Sequence, residues 1–202
     1  MSYTSQRKSS GFSLIELLIT LGILIITLTI ALPGFREFFD RERLINATEE
    51  VYGMLQKARM ESMARSDEIY VNFDSDTDTG TWSYGLVEGT QAESGVPCDP
   101  TQDDPAVASA CVITIVSGDG SGTNDKVLMR HTNDQHPEIS LDAKTETIFR
   151  FDPIRGTVET EKGDRFVTLI SGLKKELRVT VSPLGNVGIC SPDGQVPSYR
   201  DC

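Results

Sequence analysis

A single carboxylate at the start of a long apolar run is the residue best placed to do chemistry in this sequence. The run extends from Phe12 to Leu32, and Glu16 is its only charged residue. A stretch of that length can cross a bilayer as a helix, for which about 20 apolar residues suffice. A charge inside such a span is costly, so Glu16 indicates a function or a partner. The basic residues Arg7 and Lys8 precede the run and favour a cytoplasmic N-terminus.

Three interpretations of this N-terminus compete. A secretory signal peptide would share the basic residues, but its apolar core is shorter, contains no acid and ends at a small-residue cleavage site, whereas Pro33-Gly34-Phe35 follows here. A plain membrane anchor would tolerate Glu16 near the lipid headgroups. The third interpretation is a family resemblance: Gly11-Phe12-Ser13-Leu14-Ile15-Glu16 resembles the processing site of type IV pilins and type II secretion pseudopilins.

The resemblance implies a role for several residues. Prepilin peptidase would remove the leader, residues 1–11, by cutting after Gly11, and the new N-terminal residue Phe12 would be N-methylated. Glu16 would be an assembly contact. Pro33 lies late in the apolar segment, as it does in the family. Pro33 also predicts a kink or a local break of the helix, because proline has no backbone N–H to donate.

The cost of burying a charge suggests what Glu16 does. An unpaired charge in hydrocarbon costs several kcal/mol, so the carboxylate needs a partner. The amine of Phe12 in a neighbouring, axially staggered subunit is one candidate, and the pair would then set the register between helices. The alternative is that Glu16 only complements the positive end of its own helix dipole.

Beyond the apolar run, the 202-residue chain is long enough for one domain with its own core. The net charge of −11 opposes nonspecific binding to DNA or anionic lipid. None of the four cysteines has a C-x-x-C spacing, which argues against zinc or a redox motif. In a domain outside the cytoplasm, an even number of cysteines such as four predicts two disulfides. Of the three possible connectivities, we favour the pairs that close short loops, Cys98–Cys111 and Cys190–Cys202.

Periodicity divides the chain into one helix and a set of strands. Apolar residues at three- and four-residue spacing between Asp40 and Arg65 predict an amphipathic continuation, so that one helix extends from Phe12 to about Ala64. Alternating segments between Asp, Gly, Pro and Asn loops then predict strands at 68–73, 81–87, 112–116, 126–131, 147–152, 166–170, 176–182 and 187–190. The fold class is therefore α+β, with the long N-terminal helix packed on an antiparallel β-sheet domain.

Segments in the rest of the chain indicate which branch of the pilin-like proteins the sequence resembles. Four segments are similar to the GspH/FimT/FimU branch of the pilin-like proteins: Met54–Ser62, Ile69–Phe73, Thr147–Phe151 with Gly156, and Arg178–Gly185. The resemblance implies a transmembrane and filament-core helix at 12–38 and a periplasmic head domain at 39–202. A single span would hold the protein in the inner membrane before it enters a pilus or pseudopilus.

The remaining motifs predict no catalytic or metal site. Asp74–Gly80 has the composition of a calcium loop, but its glycine comes one position late and Gly85 stands where a closing glutamate is needed, so we expect a polar hairpin turn. The glycine-rich segment 117–125 lacks the lysine of a phosphate loop. His131 and His136 share a polar loop that we expect at the surface. Because no nucleophile has a base beside it, we expect no enzyme, no cofactor and no metal.

The expected partners are other pilin or pseudopilin subunits, prepilin peptidase and the inner membrane. Some FimT-type members bind DNA through a G-R-x-R motif, which the resemblance places at residues 185–188. Asn186 and Gly188 fill both arginine positions here, and phosphate contacts need Lys or Arg, so DNA is not expected as a ligand.

These observations favour a minor pilin of FimU/FimT type that assembles into or primes a type IV pilus near its tip. One alternative is a GspH-type minor pseudopilin of type II secretion. The other is a DNA-binding minor pilin for natural transformation.

Overall fold

The computed structural model describes residues 12–76, 78–89, 98–116, 124–145, 147–158 and 164–202. The predicted leader, with Gly11, lies outside the described residues, as do residues 90–97 and most of the glycine-rich segment 117–125. The chain divides into two compact units, one ending at Phe39 and the other comprising Asp40–Cys202. We call the second unit the head domain.

A single α-helix, α1 (Leu14–Arg65), begins in the first unit and ends in the head domain. In the first unit its apolar side chains are exposed, since no described residue covers them. Helical structure continues through Pro33, so the chain does not leave the helix there, and the predicted kink stays a prediction. The physical reason is that one proline removes a single backbone donor, while the hydrogen bonds on either side remain.

The amphipathic half of α1 forms one wall of the head domain. The helix positions predicted to share a face are all buried, and they are Leu44, Ala47, Val51, Met54, Leu55, Ala58 and Ser62. Their apolar members join a single core with the strands. Burial of each large aliphatic side chain contributes about 1.5–3 kcal/mol, so this face accounts for the docking of the helix.

The described residues after α1 form ten strands and two short 3-10 turns. The strands are β1 (Ile69–Asp76), β2 (Thr81–Glu88), β3 (Val112–Val116), β4 (Asn124–Leu128), β5 (Arg130–Thr132), β6 (Ser140–Leu141), β7 (Ile148–Phe151), β8 (Arg165–Ile170), β9 (Glu176–Val181) and β10 (Val187–Cys190). They make three antiparallel sheets, β5-β2-β1-β7, β10-β9-β8-β6 and β3-β4, rather than one. The predicted α+β class is confirmed, but the sequence predicted one sheet and did not predict the division of the strands into three.

Met129 explains why the predicted strand 126–131 is two strands. β4 pairs with β3 as far as Leu128, whereas β5 pairs with β2 from Arg130 onward. Between them, Met129 donates its N–H to the Cys111 carbonyl and accepts the N–H of Leu86. The strand therefore changes partner at Met129, and an alternating sequence pattern contains no information about such a change.

Polar contacts fix both ends of the head-domain half of α1. At its start, the buried carboxylate of Asp40 accepts the Ser171 hydroxyl at 2.6 Å and the Leu173 N–H at 3.1 Å. At its end, the Arg65 guanidinium forms an ion pair with Glu88 at 2.7 Å. Charge-assisted hydrogen bonds in partly buried positions are the stronger class, so these contacts fix the helix along its axis.

Candidate functional site

In the apolar segment of α1, the neutral polar side chains are satisfied within the helix. The hydroxyls of Thr20, Thr27 and Thr29 each donate to a backbone carbonyl three or four residues earlier, at 2.8–3.1 Å. Such a segment can lie in lipid without an unpaired hydroxyl. Glu16 is different: it lies in the first turn of α1, and no described residue forms an ion pair with its carboxylate.

By length and composition, α1 is the one helix among the described residues that could cross a membrane. Phe12, just before the helix, is 78 % exposed, and the large apolar residues that follow it are also exposed. An apolar surface of this extent marks a segment that lipid or another protein covers. The segment with Phe12 and Glu16 is therefore the first candidate site.

The head domain contains both favoured disulfides, Cys98–Cys111 and Cys190–Cys202. The first is buried against β2, where a Cβ on Gly85 would lie 2.4 Å from Cys111 Sγ. Glycine at this position therefore lets the disulfide approach the strand. Closing a loop of this length contributes about 3 kcal/mol by constraining the unfolded chain.

The segment with the calcium-like composition is the turn of the β1–β2 hairpin. The Asp76 carboxylate accepts the Asp78 N–H at 2.9 Å and the Thr79 hydroxyl at 2.9 Å. These hydrogen bonds, the one from Asp78 first, hold the pKa of Asp76 below its ordinary value. Gly80 completes the turn with a φ of 70°. Among the described residues, no group of His, Cys, Asp and Glu side chains could hold a metal ion.

The two histidines contact a helix carboxylate. His131 is exposed as expected but lies in the strand β5, whereas His136 is mostly buried. His131 Nδ1 lies 2.7 Å from Glu50 Oε1, and His136 Nε2 lies 2.6 Å from Glu50 Oε2. The Tyr84 hydroxyl donates to Glu50 Oε1 at 2.9 Å. One carboxylate thus joins α1 to β2, to β5 and to the end of the 3-10 turn Asn133–Gln135. Sequence reasoning missed Glu50 because it lies 86 residues from His136.

A stack of rings orients the two imidazoles toward Glu50. His131 stacks on Tyr84 with ring centroids 5.2 Å apart, Tyr84 on Trp82 at 6.0 Å, and Trp82 on His136 at 6.4 Å, all within 12° of parallel. Trp82 Nε1 donates to the Ile139 carbonyl at 2.9 Å and fixes the centre of the stack. Aromatic pairs of this kind contribute about 0.5–1.5 kcal/mol beyond the area that they bury.

This arrangement stabilises the ionised form of Glu50. Burial alone raises the pKa of Glu50, but the hydrogen bonds from His136 and Tyr84 and the adjacent imidazoles outweigh it and hold the pKa below 4.5. Burial, with the Glu50 charge beside it, raises the pKa of Tyr84, so the hydroxyl stays protonated and donates. The cluster therefore acts as a structural contact around one negative charge.

Replacing Glu50 by alanine is expected to destabilise the head domain by about 3 kcal/mol, because three donors lose their acceptor and the Tyr84 hydroxyl stays buried. Glu49→Ala is the matched control, since Glu49 is exposed and, among the described residues, its carboxylate accepts a hydrogen bond only from the Tyr199 hydroxyl. It should cost no more than about 1 kcal/mol. Urea unfolding, followed by the fluorescence of the single tryptophan, measures both. Equal losses for the two variants would contradict the role assigned to Glu50.

The Glu50→Gln variant adds a pH test. A carboxyl whose folded-state pKa is lowered contributes stability above its ordinary pKa of 4.5, and that contribution is lost as the pH falls through the folded-state pKa. The stability difference between the unmodified protein and Glu50→Gln should therefore be largest near neutral pH and should shrink below 4.5. A difference that stays constant across this range would contradict the argument.

The turn between β9 and β10 is held by Arg59 of α1. Arg59 Nη1 donates to Asn186 Oδ1, and Nη2 donates to the Leu184 carbonyl, both at 3.3 Å. Asn186, one of the two positions where DNA-binding members would have arginine, thus has its amide oxygen directed at the helix. The sequence alone gives no sign that Arg59 contacts this turn, because Arg59 and Leu184 lie 125 residues apart in the chain.

Comparisons with known proteins find matches for both the N-terminal apolar segment and the head domain. Residues 47–185 match the family of the type II transport protein GspH, and residues 6–32 match the prokaryotic N-terminal methylation motif. Two crystal forms of the type IV minor pilin FimU of Pseudomonas aeruginosa (strain PAO1) are similar in structure. The first has 17 % identity and a TM-score of 0.46, covering 77 % of this chain and 97 % of that chain. The second has 16 % identity and a TM-score of 0.42, covering 74 % and 98 %.

No curated protein matches the chain closely. The GspH match alone spans more than half of the sequence and contains most of the head domain, and the methylation motif covers the apolar segment with Glu16. The chain therefore belongs to the GspH family of type IV pilin-like proteins.

Proposed function

We propose that the chain is a minor pilin, a structural subunit that enters a type IV pilus near its tip. The observation that carries the proposal is the methylation motif at 6–32, in which Glu16 is the only charge of an exposed apolar segment. Removal of residues 1–11 would leave Phe12 as a methylated N-terminus. Residues 12–38 would then cross the inner membrane, with the head domain in the periplasm.

The physics of the apolar segment supports a passage from membrane to filament. Lipid tails and apolar helices are similar environments, so exchanging lipid neighbours for helix neighbours involves little hydrophobic gain or loss. The threonine hydroxyls need no outside partner in either place. Only Glu16 distinguishes the two environments, because a neighbouring subunit can offer its Phe12 amine and lipid cannot. The carboxylate would therefore set the register of the assembly.

A type II secretion pseudopilus is the second candidate. The match to the family of the type II transport protein GspH favours it specifically. The two machines use the same kind of N-terminal segment, so the distinction depends on the neighbours of the head domain. In a strain that lacks the gene, loss of surface pili with normal secretion would support the pilus, and the reverse result would support the pseudopilus.

The proposed function is tested on the protein recovered from sheared surface filaments and from membranes. Mass spectrometry is expected to find a chain that begins at Phe12 and is one methyl group heavier than its sequence, in both fractions. Gly11→Leu should leave the leader attached and keep the protein out of the filaments. A processed chain that is absent from pili and pseudopili alike would overturn the proposal.

A further inference from the structure

Four large apolar side chains remain exposed where α1 ends in the head domain. Met60 and Met63 are 58 % and 43 % exposed on α1, Ile154 is 85 % exposed in the turn after β7, and Leu184 is 68 % exposed in the turn after β9. Scattered single apolar residues need no explanation on a surface, whereas four large ones from three segments at one place form a patch of the kind that often has a function.

The three segments that carry these residues are held against each other. A Cβ on Gly156 would lie 3.0 Å from Met63 Sδ, so the turn after β7 touches the helix. Arg59 donates to the Leu184 carbonyl at 3.3 Å, which holds the turn after β9 to the same helix turn. The Val158 N–H also donates to the Pro183 carbonyl at 3.2 Å, joining the two loops. The surface is therefore preformed by the folded head domain.

One cation accompanies the apolar side chains. Arg155 lies between Ile154 and Gly156, is exposed, and forms no side-chain ion pair with any described residue. The chain as a whole carries a net charge of −11. An arginine beside an apolar surface on an acidic protein favours an approaching surface that contains carboxylates.

We propose that this surface, the distal patch (Met60, Met63, Ile154, Arg155 and Leu184), docks on an acidic and partly apolar face of the head domain of an adjacent filament subunit. The proposal rests on the proposed function, because it requires the chain to be assembled beside another subunit. It adds a specific contact surface to that function.

The size of the patch indicates why the partner is a tethered subunit. Four side chains offer a few hundred Å², on the order of half of the 800 Å² per partner of a stable free complex. A contact this small is sufficient when both partners are already held side by side, since tethering raises the effective concentration to the order of millimolar. The apolar segment of α1 supplies such a tether in a membrane or a filament.

The charge of Arg155 argues against symmetric pairing of two copies. In a two-fold contact each patch would face itself, so the interface would contain two copies of Arg155 and no carboxylate from the patch to oppose them. Like charges at the edge of an interface are unfavourable. A contact between the patch and a different face of the neighbour avoids this, and it continues as an open helical assembly where the rotation between subunits does not close.

Site-specific photo-crosslinking of the full-length protein in assembled filaments tests the proposal. With benzoylphenylalanine at Ile154, we expect an adduct whose partner peptide comes from the head domain of a subunit that carries the same N-terminal methylation motif. The control position is Leu173, also exposed, whose N–H contacts Asp40 about 35 Å along α1 from Met63. Leu173 should give no adduct with the same peptide.

Charge reversal gives a second readout. Arg155→Glu should lower the yield of the Ile154 adduct about fivefold, whereas Lys144→Glu makes the same charge change at another exposed position and should leave it unchanged. An adduct of Ile154 with its own patch in a second copy, with a protein outside the filament, or with nothing at all would overturn the proposal. If the unmodified protein is absent from the filaments, the proposed function fails as well; if it is present without the adduct, only the distal patch fails.

Discussion

Replacing Glu16 by alanine is expected to lower the amount of protein incorporated into filaments by more than about tenfold, while the protein still inserts into the membrane. Membrane insertion survives because alanine costs less than a carboxylate inside an apolar helix. Incorporation falls because the proposed pairing of Glu16 with the Phe12 amine of a neighbour is lost, and a tenfold change in an equilibrium needs only about 1.4 kcal/mol. Removing one partner of an ion pair in a low-dielectric bundle leaves the other charge unpaired, and the free-energy cost is larger than that amount.

The size of the effect separates the two roles open to Glu16. If the carboxylate only complements the dipole of its own helix, its removal costs about 0.3–1 kcal/mol and lowers incorporation by no more than about fivefold. If it pairs with a neighbour, the amine of that neighbour is also left unpaired in the bundle, and the loss is larger. Quantitative immunoblotting of sheared filaments against membranes measures the ratio.

Two variants serve as controls for this measurement. Glu16→Gln keeps the shape of the side chain and removes the charge, and it should behave like Glu16→Ala. Thr20→Ala lies one turn later in the same exposed segment, and its hydroxyl already donates to the Leu17 carbonyl at 3.0 Å, so its removal should leave assembly unchanged. Normal incorporation of either Glu16 variant would refute the pairing.

The features that the sequence predicted best are those that depend on local periodicity. The apolar face of α1 from Leu44 to Ser62 is buried as the three- and four-residue spacing requires. The strands β3 and β10 have the bounds that their alternation predicted. Each of these predictions uses only residues that are near each other in the chain, where the geometry of a helix or strand fixes which side chains share a face.

The features that the sequence could not predict depend on residues far apart in the chain. Glu50 contacts two histidines and a tyrosine from other elements. Arg59 contacts the turn after β9, 125 residues away. In each case a charged residue on the helix has the sequence pattern of an ordinary surface residue. Only the packing of the sheets against the helix brings a hydrogen-bond partner to that charge. At Pro33 helical structure continues, since one missing donor leaves the neighbouring helical hydrogen bonds in place, and the predicted kink stays a prediction.

Replacing Gly185 by alanine is expected to destabilise the head domain by more than about 3 kcal/mol, the largest loss we expect from adding one methyl group. Gly185 has a φ of 75°, in the left-handed region that favours glycine. A Cβ there would also lie 1.8 Å from the Gly156 carbonyl oxygen and 3.1 Å from Arg59 Nε. Because the first of these atoms is backbone, no side-chain rotation relieves the clash, and the turns after β7 and β9 must separate.

Substitutions at two other glycines separate the two causes of this loss of stability, the backbone strain and the steric clash. Gly80 has a φ of 70° with nothing within 4 Å of an added Cβ, so Gly80→Ala measures the backbone strain alone and should cost about 1 kcal/mol. Gly53 lies in α1 with open space around it, so Gly53→Ala should stabilise the protein by about 0.5–1 kcal/mol. Thermal unfolding should therefore rank Gly53→Ala above the unmodified protein, Gly80→Ala below it, and Gly185→Ala lowest by about 10 °C. If Gly185→Ala and Gly80→Ala unfolded together, the close contact between the two turns would not contribute to stability, and the support of the distal patch would have to come from Arg59 alone.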